Sequence, residues 1–378
     1  MTKIKSEWQL SADLIHLNHA AVGPWPQRAK LAIQNFAEDN ATNGSLNYLK
    51  WVTIESALRQ QLKTLINADN VDEISLLKNT SEALSVIAYG INWQSGDNIV
   101  ISDQEFPSNY IVWESLKSKG VEVRYANLDS PSPEENLIAL CDENTKLLSI
   151  SSVQYSTGLR MQLKTLGEFC QSNNVLFCVD AIQSIGAHAI DAQDCYADFV
   201  VADGHKWMLG PEGVALFYCR ESVRDQLSIN QFGWRMVEDF LNFDNKNWEI
   251  AKNGRRFECG SPNMLGIHGL HASLSLILEV GIESISHDIE QKINLLMTGL
   301  KNIPGTHIIT PTDPKRRCGI VTFYSDKIDT EKLFDYLSSK NVFCAMRGGG
   351  IRLSPHYHTT DKQLLLALSY VSEIHKKT

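Results

Sequence analysis

The sequence predicts an α/β protein, in which a large domain with a mostly parallel, doubly wound sheet is followed by a smaller α+β domain. Between about residues 73 and 220, short runs rich in Val, Ile and Leu alternate with longer amphipathic segments. This pattern is typical of parallel strands that are covered by helices on both faces. After residue 262 the pattern changes to two long helical segments followed by short strands. Because the 378 residues also exceed the usual size of a single-core domain, we expect two domains.

Seven apolar runs predict the strands of the large sheet. In chain order they are EISLLKN, DNIVISDQ, VEVRYANL, TKLLSISSVQYS, NVLFCVDA, ADFVVADG and GVALFYC. The segments between them include helical patterns such as SEALSVIAYGIN, PSNYIVWESLKSKG and LKTLGEFCQSNN. Ligands of such sheets bind beyond the carboxyl ends of the strands. The residues that follow each run are therefore the candidates for a functional site.

The second half of the pattern predicts the smaller domain. Residues 262 to 304 predict two long helices, which are followed by the strands THIITP, GIVTFYS, VFCAMR and GGGIRLSP and by a final helix. We divide the chain into an N-terminal segment (1–20), a large domain (21–262) and a linking helix with the small C-terminal domain (263–378). The extended N-terminal segment is expected to cross back toward the small domain.

The composition argues against several classes of function. A formal charge of −9 without a Lys/Arg-rich stripe argues against nucleic-acid binding. No apolar run is long enough to span a membrane, and the first residues lack the apolar segment of a signal peptide. We therefore expect a cytoplasmic protein with no membrane partner. The eight cysteines show neither C-x-x-C pairs nor zinc-type spacing, so we expect no metal site.

Thr80 and Ser81 follow the first predicted strand and begin a helical segment. Free backbone N–H groups, two hydroxyl groups and the positive end of the helix dipole converge there, which indicates an anion site. The alternative is that Thr80 or Ser81 simply caps the helix, with Glu82 in its first turn.

Three more side chains follow predicted strands of the same sheet. Phe106 could stack on a planar ring or pack in the core. Asp180 ends a strongly apolar run, where its carboxylate needs a cationic partner unless it caps a helix. Lys206 is either a surface lysine on a turn or a desolvated, nucleophilic amine. Together with the anion site, these groups meet the binding requirements of pyridoxal phosphate: its phosphate, ring face, ring nitrogen and aldehyde.

The segments VDAIQSIGAHAID and ADFVVADGHKWMLGPEGVALFY resemble the cofactor segment of fold type I pyridoxal phosphate enzymes. Within that fold the sequence is similar to the class V aminotransferase group, which includes cysteine desulfurases and isopenicillin N epimerase-like proteins. The similarity extends from LNHAAVGPWP through RRFECGSPNMLGIHGL to GIRLSPHYHTTDKQLL, nearly the whole chain. It implies the fold type I transferase fold, pyridoxal 5'-phosphate as cofactor and a small-molecule amino acid as substrate.

For the cofactor ring, the resemblance makes Lys206 the Schiff-base lysine and Asp180 the partner of the pyridine nitrogen. Gln183 would hydrogen-bond the phenolic oxygen. Two positions depart from the group. Phe106 stands where a histidine often stacks on the ring, and Phe can stack but cannot transfer protons. Tyr155 stands where many relatives have an Asn near the ring oxygen.

For the phosphate, the resemblance assigns Thr80, Ser81 and His205 within one subunit. Ser261 in ECGSPN would reach the phosphate of the neighbouring subunit, which implies a homodimer with its active sites at the interface. Asp203 stands where a phosphate-binding Ser is common. Because a carboxylate there would repel the phosphate, we expect Asp203 to point away.

For the substrate, the resemblance makes Arg352 in GIRLSP the partner of the α-carboxylate, a bidentate role that suits a guanidinium group. Asn18 and His19 match a mobile N-terminal segment, so residues 1–20 are expected near the active site. Further candidates for the side-chain pocket, with surface or core roles as alternatives, are Trp234, Arg235 and Arg347.

These assignments imply an enzyme that acts on an amino acid through Schiff-base intermediates, with Lys206 as general acid and base. Cysteine desulfurases carry a nucleophilic cysteine in the loop between the strand that corresponds to VFCAMR and the strand that bears the substrate-binding arginine. Here GGG joins the two strands directly, and Cys344 lies in the preceding strand. We therefore expect an aminotransferase or a cysteine/cystine C-S (β-) lyase rather than a standard cysteine desulfurase. Alternatives are an epimerase of the isopenicillin N epimerase type, a kynureninase-like hydrolase and a catalytically idle dimeric interaction module.

Overall fold

The computed structural model describes residues 6–377, so residues 1–5 of the predicted N-terminal segment lie outside the described residues. The strands are β1 (Ile15–His16), β2 (Ile74–Leu77), β3 (Asn98–Ser102), β4 (Glu122–Ala126), β5 (Thr145–Ser151), β6 (Leu176–Asp180), β7 (Phe199–Asp203), β8 (Ala215–Cys219), β9 (Thr306–Ile308), β10 (Val321–Ser325), β11 (Val342–Phe343), β12 (Ala345–Arg347) and β13 (Gly350–Leu353). The helices are α1 (Gln27–Asn43), α2 (Tyr48–Leu65), α3 (Thr80–Gly90), α4 (Ser108–Glu114), α5 (Pro133–Ala139), α6 (Leu163–Asn173), α7 (Glu221–Arg224), α8 (Met264–Val280), α9 (Ile282–Lys301), α10 (Thr330–Ser339) and α11 (Asp361–Lys377).

The large sheet contains the seven strands from β2 to β8, in the order β2-β8-β7-β6-β5-β3-β4. Only β8 runs antiparallel to its neighbours, β2 and β7, and the remaining pairs are parallel. Since β8 lies between them, β2 and β7 point in the same direction. The predicted mostly parallel sheet is confirmed, and the carboxyl ends of β2, β3, β5, β6 and β7 share one edge.

Both faces of this sheet are buried, as a doubly wound domain requires. In β7, Phe199 and Val201 pack into a core shared with α3 and α4, whereas Val200 and Ala202 pack into a second core shared with α6 and α8. This division follows from the alternation of side chains between the two faces of a strand. The apolar runs of the sequence are nearly continuous because both sets of side chains are covered.

The smaller unit is α+β, as predicted. Its sheet has the order β12-β13-β10-β9 with antiparallel pairs, and α9 packs against α11. The single strand predicted for VFCAMR is divided, because β11 pairs with β1 instead of joining this sheet. The N-terminal segment therefore crosses back to the small unit, and Asn18 forms a further bridge with Ser354. The boundary at residues 262 and 263 stays a prediction, since α8 packs against α1 and α2.

No single helix between residues 6 and 377 is long and apolar enough to cross a membrane. Only α8 and α9 taken together reach the necessary length and hydropathy, and they are bent by 82° at their junction. Over the same residues, no three His, Cys, Asp or Glu side chains are grouped so that they could hold a metal ion.

Candidate active site

A cavity lies at the carboxyl edge of the large sheet, where the segments after β2, β3, β5, β6 and β7 meet residues of the small unit. Most of the predicted site residues line it: Thr80, Ser81, Phe106, Tyr155, Asp180, Gln183, His205, Lys206 and Arg352. Distant parts of the sequence therefore meet at one edge of the sheet, as expected for an open α/β sheet.

Lys206 lies between β7 and β8 and is only 7% exposed. Burial lowers the pKa of its amine. Nearby Arg352 and Arg347 act in the same direction, whereas Asp180 and Asp203 oppose the shift. The Nζ atom lies 5.5 Å from the centre of the Phe106 ring. Lys206 is therefore a desolvated amine that faces the cavity, and not a surface lysine on a turn.

Asp180 is the last residue of β6 and is 2% exposed. Its Oδ1 accepts a hydrogen bond from the backbone N–H of Ile182 at 3.0 Å. Burial raises the pKa of its carboxyl group despite that hydrogen bond, and the nearby Glu105 raises it further. Residues 182 to 187 form turns and not a helix, so the helix-capping alternative does not hold. No cation lies within ion-pair distance of Asp180 in the described residues, which leaves the carboxylate available to a protonated ring nitrogen.

The anion end of the cavity is the N-terminus of α3. Asn79 caps this helix, because its Oδ1 accepts the N–H of Glu82 at 2.8 Å. Thr80 and Ser81 are therefore not the cap. The Thr80 hydroxyl accepts the N–H of Asp203 at 3.1 Å, and the Ser81 hydroxyl bonds to another cavity-lining serine. The first N–H groups of a helix have no intrahelical acceptor, so this end provides donors for an anion.

Asp203 lines the same cavity and does not point away from it, contrary to our expectation. The residue is 6% exposed, and its Oδ1 lies 2.9 Å from Nδ1 of His205. The physical reason is that the imidazole of His205 lies beside the carboxylate inside the cavity and gives it a polar neighbour there. A carboxylate that has such a neighbour need not turn toward solvent.

The middle of the cavity is lined by Phe106, Tyr155 and Gln183. Phe106 is 39% exposed, so core packing does not account for its position. Its ring meets that of Tyr155 edge-on, with centroids 5.2 Å apart. Gln183 donates from Nε2 to the carbonyl of Ala20 and accepts from the indole N–H of Trp207. An amide nitrogen carries two hydrogens, so one donor of Gln183 remains for a ligand.

Arg352 lies on β13 at the opposite side of the cavity and is 2% exposed. Its Nη1 donates to the carbonyl of Tyr155 at 2.7 Å, and its Nη2 donates to Oδ1 of Asn18 at 3.3 Å. Within the described part of the chain its Nε has no hydrogen-bond partner. Burial lowers the pKa of the guanidinium to about 10, and the neighbouring Arg347 acts in the same direction. Across residues 6–377 no carboxylate pairs with Arg352, so its charge is left for a ligand.

Three of the residues to which the resemblance assigns a role lie outside the cavity lining. Asn18 contacts Arg352 but does not line the cavity itself. His19 is fully buried, and its Nε2 lies 3.3 Å from Nε2 of His358. Ser261 is exposed and lines a separate groove. The roles of His19 in substrate binding and of Ser261 across a subunit interface stay predictions.

Of the three candidates for the side-chain pocket, one lines the cavity and two do not. Arg347 lines the cavity. Arg235 does not, because its guanidinium is buried and paired with Glu55. Trp234 lies away from the cavity, where its ring packs against those of Phe240 and Phe243. Arg235 and Trp234 therefore do not line the cavity of their own chain, and Arg235 occupies a core position.

Sequence reasoning missed Asn79 and Glu105. The spacing of Asn79 and Glu82 is that of a capping box and could have identified the cap. Glu105 is 6% exposed and lies one residue before Phe106. Its carboxylate accepts hydrogen bonds from the side chains of Asn109 at 2.8 Å and Gln154 at 3.0 Å. Asn109 lies within EFPSN, four residues after Glu105, and could have been recognised as a local donor, whereas Gln154 comes from a distant segment that the local sequence does not reveal.

The residues fit pyridoxal phosphate group by group. The N-terminus of α3 would hold the phosphate, Phe106 would face the ring, Asp180 would pair with the ring nitrogen, and Lys206 would bind the aldehyde carbon. The fold and the site therefore define a pyridoxal phosphate-dependent enzyme of fold type I. The chain belongs to the class-V aminotransferase family, whose model matches residues 15–369. Pyridoxal phosphate is its cofactor.

Known proteins similar to this chain include cysteine desulfurases. A probable cysteine desulfurase of Methanothermobacter thermautotrophicus is 28% identical over 397 residues, which cover 98% of this chain and 97% of the relative. A cysteine desulfurase of Salmonella typhimurium is 30% identical over 298 residues, which cover 77% of this chain and 71% of the relative.

Solved structures support the fold. The apo cysteine desulfurase of Thermococcus onnurineus NA1 superimposes with a TM-score of 0.88 at 22% identity, covering 100% of this chain and 98% of that one. The cystine C-S lyase C-DES, in complex with cysteine persulfide, superimposes with a TM-score of 0.89 at 23% identity, covering 96% of this chain and 98% of the other.

Proposed function

We propose that the protein is a pyridoxal phosphate enzyme that acts on an α-amino acid, as a C-S (β-) lyase of the cysteine or cystine type or as an aminotransferase. The observation that carries this proposal is Arg352, a buried guanidinium with no carboxylate partner in the described chain, in the same cavity as Lys206. A buried cation without a partner is costly, and the α-carboxylate of an amino acid would offset that cost.

The bound cofactor supplies an electron sink that weakens the bonds to the substrate Cα atom. Arg352 holds the α-carboxylate and so fixes the orientation of Cα. The Lys206 amine, whose pKa burial lowers, is available in its neutral form to take the Cα proton and return it. Asp180 holds a proton on the ring nitrogen. The side chains of Asp180, Lys206 and Arg352 are all buried, which limits the access of water to them.

The cysteines favour a reaction that releases sulfur over one that stores it on the protein. None of the eight cysteines, all of which lie in the described residues, lines the cavity. Cys344 is 3% exposed, and burial raises the pKa of its thiol to about 12, whereas a nucleophilic cysteine must be a thiolate. Two glycines alone, Gly348 and Gly349 with φ of 58° and 78°, connect β12 to β13, so no cysteine-bearing loop separates them.

We also propose a homodimer in which Ser261 of each subunit contacts the phosphate of its partner. The exposure of Ser261 and its position outside its own cavity support this arrangement. Light scattering would measure the mass in solution. A monomeric holoenzyme with full activity would contradict the proposal, as would an unchanged cofactor affinity in Ser261→Ala.

The reaction can be determined with the purified holoenzyme and a panel of amino acids, with Lys206→Ala as the inactive control. Release of pyruvate and ammonia without an added keto acid, together with sulfide from cysteine or cysteine persulfide from cystine, would identify the lyase. Conversion of the amino acid to its own keto acid, only when a second keto acid is present to accept the amino group, would identify the aminotransferase. Exchange of the Cα proton without either product would instead support an epimerase. A wild-type protein that binds no pyridoxal phosphate would contradict the proposed function.

A further inference from the structure

Asp203 is fixed at the phosphate end of the cavity. It is the last residue of β7, and its backbone N–H donates to the Thr80 hydroxyl at 3.1 Å, which ties the end of the strand to the first turn of α3. The side chain is 6% exposed and lines the cavity together with Thr80 and Ser81. A carboxylate therefore lies beside the donors that would hold the phosphate.

Asp203 and His205 face each other across Gly204. The distance from Asp203 Oδ1 to His205 Nδ1 is 2.9 Å, but the pair is not aligned for a hydrogen bond, and in the described residues both atoms are buried without a hydrogen-bond partner. Gly204 is held in place because its N–H donates to the carbonyl of Val214, and a Cβ at this position would lie 2.9 Å from the Leu270 side chain. The backbone thus fixes both members of the pair.

The charges at this end balance only if His205 carries a proton. A phosphate ester brings a charge of roughly −1.5 to −2 at neutral pH, and an ionised Asp203 adds a further negative charge beside it. The partial positive charge of the α3 N-terminus, about half an elementary charge, is too small to balance both. An imidazolium between the carboxylate and the phosphate would be attracted to both anions.

We propose that Asp203 is a positioning residue that keeps His205 protonated and oriented for the phosphate of the cofactor. In this arrangement the His205 ring turns slightly when phosphate binds, so that its Nδ1–H donates to the Asp203 carboxylate 2.9 Å away and its Nε2–H donates to the phosphate. The proposal depends on the proposed function, because it concerns the phosphate end of the same cavity. It assigns a binding role to the residue that the resemblance left without one.

The opposite account is that Asp203 only repels the phosphate. The two accounts predict changes of opposite sign when the charge is removed in Asp203→Asn. If Asp203 acts through His205, phosphate binding weakens by about tenfold or more, as expected for the loss of a charge-assisted hydrogen bond. If Asp203 only repels, phosphate binding becomes tighter.

The test is a cycle of four proteins: wild type, Asp203→Asn, His205→Gln and the double variant. Dissociation constants would be measured by calorimetry on the apo protein for inorganic phosphate and for pyridoxine 5'-phosphate, which has no aldehyde to react with Lys206. Asp203→Asn should weaken the binding of both ligands when His205 is present. The same substitution should tighten the binding of both ligands when His205 is replaced by Gln, because in that background the Asp203 carboxylate repels the phosphate without a neighbouring imidazole.

Asp203→Asn would overturn the inference if it changed phosphate binding in the same direction with and without His205. Tighter binding in both backgrounds would mean that Asp203 only repels the phosphate. Weaker binding in both would mean that it acts through the backbone or Thr80 and not through His205. Asp198→Asn is the matched control: it neutralises another buried carboxylate, next to the amino end of β7, and should leave both dissociation constants unchanged.

Nitrogen NMR of histidine-labelled protein gives a readout that is independent of affinity. On addition of inorganic phosphate, the His205 signals, assigned by their absence in His205→Gln, should show protons on both ring nitrogens in the wild type but not in Asp203→Asn. A neutral His205 in the phosphate-bound wild type would overturn the inference. A wild type that binds neither pyridoxine 5'-phosphate nor pyridoxal phosphate would instead contradict the proposed function itself.

Discussion

Two buried groups of charged side chains differ in how their charges are satisfied. The first, which we name the α2 cluster, contains Glu55 and Arg59 of α2 with Arg235 and Glu258. Arg59 bonds to both glutamates, and Arg235 bonds to Glu55. The second is the cavity triad of Asp180, Lys206 and Arg352, in which no ion pair within 4 Å joins any member to another described residue.

This difference distinguishes charges that maintain the fold from charges that are kept for a ligand. In the α2 cluster each charge loses water and gains an opposite charge, so removal of one partner leaves the other uncompensated. In the cavity triad, hydrogen bonds to Asp180 and Arg352 offset part of the cost of burial, and the opposite charges would come from a ligand. Perturbed pKa values there are typical of functional sites. The two groups should therefore respond differently to substitution.

The largest expected effect breaks the α2 cluster. Glu258→Gln leaves Arg59 without its stronger partner and weakens the acceptor of the Leu76 N–H. We expect the free energy of unfolding to fall by about 3–5 kcal/mol, measured by chemical denaturation, with no change in cofactor affinity. Asp194→Asn, which removes an exposed ion pair with Lys164, is the control and should change stability far less. Equal losses would contradict the distinction.

The next effect concerns Arg352. Arg352→Gln removes the guanidinium proposed to bind the α-carboxylate, so the KM for the substrate should rise about 100-fold, in line with the loss of a buried charge pair. Because no carboxylate pairs with this charge in the described chain, only its hydrogen bonds to Tyr155 and Asn18 are lost, and stability should fall far less than in Glu258→Gln. Arg352→Lys keeps the charge without the bidentate geometry and should give an intermediate KM. A loss of stability as large as that of Glu258→Gln would place Arg352 with the structural charges.

A third effect is on the pH dependence of cofactor attachment to Lys206. Only the neutral amine reacts, so the rate should rise with pH through the pKa of Lys206, with a midpoint below the ordinary lysine value of about 10.4. Asp180 raises this pKa and Arg352 lowers it. Asp180→Asn should therefore shift the midpoint to lower pH, and Arg352→Gln should shift it to higher pH. Stopped-flow absorbance would measure both, and shifts in the same direction would contradict the account.

The smallest effect is expected at Phe106. Its ring is partly exposed and carries no charge, so Phe106→Leu should weaken cofactor binding only about fivefold, consistent with the loss of roughly 1 kcal/mol of ring contact. Phe106→His, which keeps a flat ring, should stay within about twofold of the wild type on the same basis. Equilibrium dialysis is sufficient for both variants. A loss as large as that of an Arg352 variant would show that Phe106 does more than face the ring.

The features that the sequence predicted well are those that follow from local pattern. Apolar runs identified the strands, and the shared edge of a parallel sheet then placed Thr80, Phe106, Asp180 and Lys206 together. The assignments of Gln183, His205 and Arg352 came from the resemblance, and these residues also line the cavity.

The features that the sequence did not predict depend on contacts between distant segments. Arg235 could not be distinguished from a site residue because its partner, Glu55, lies 180 positions earlier in the chain. His19 is drawn into the interior by contacts with the far C-terminal part of the protein. Asp203 differs from both, because its partner is only two residues away. We expected the cofactor phosphate to repel the Asp203 carboxylate and overlooked the attraction between this carboxylate and the adjacent imidazole.

The central claim is that Lys206 is the residue that binds the cofactor covalently. The most direct test is borohydride reduction of the holoenzyme followed by peptide mass spectrometry. The account predicts that the reduced cofactor is attached to the peptide that contains Lys206. The label should be absent in Lys206→Ala, although that variant still binds pyridoxine 5'-phosphate. Attachment to a different lysine, or no attachment to the wild type, would contradict the claim.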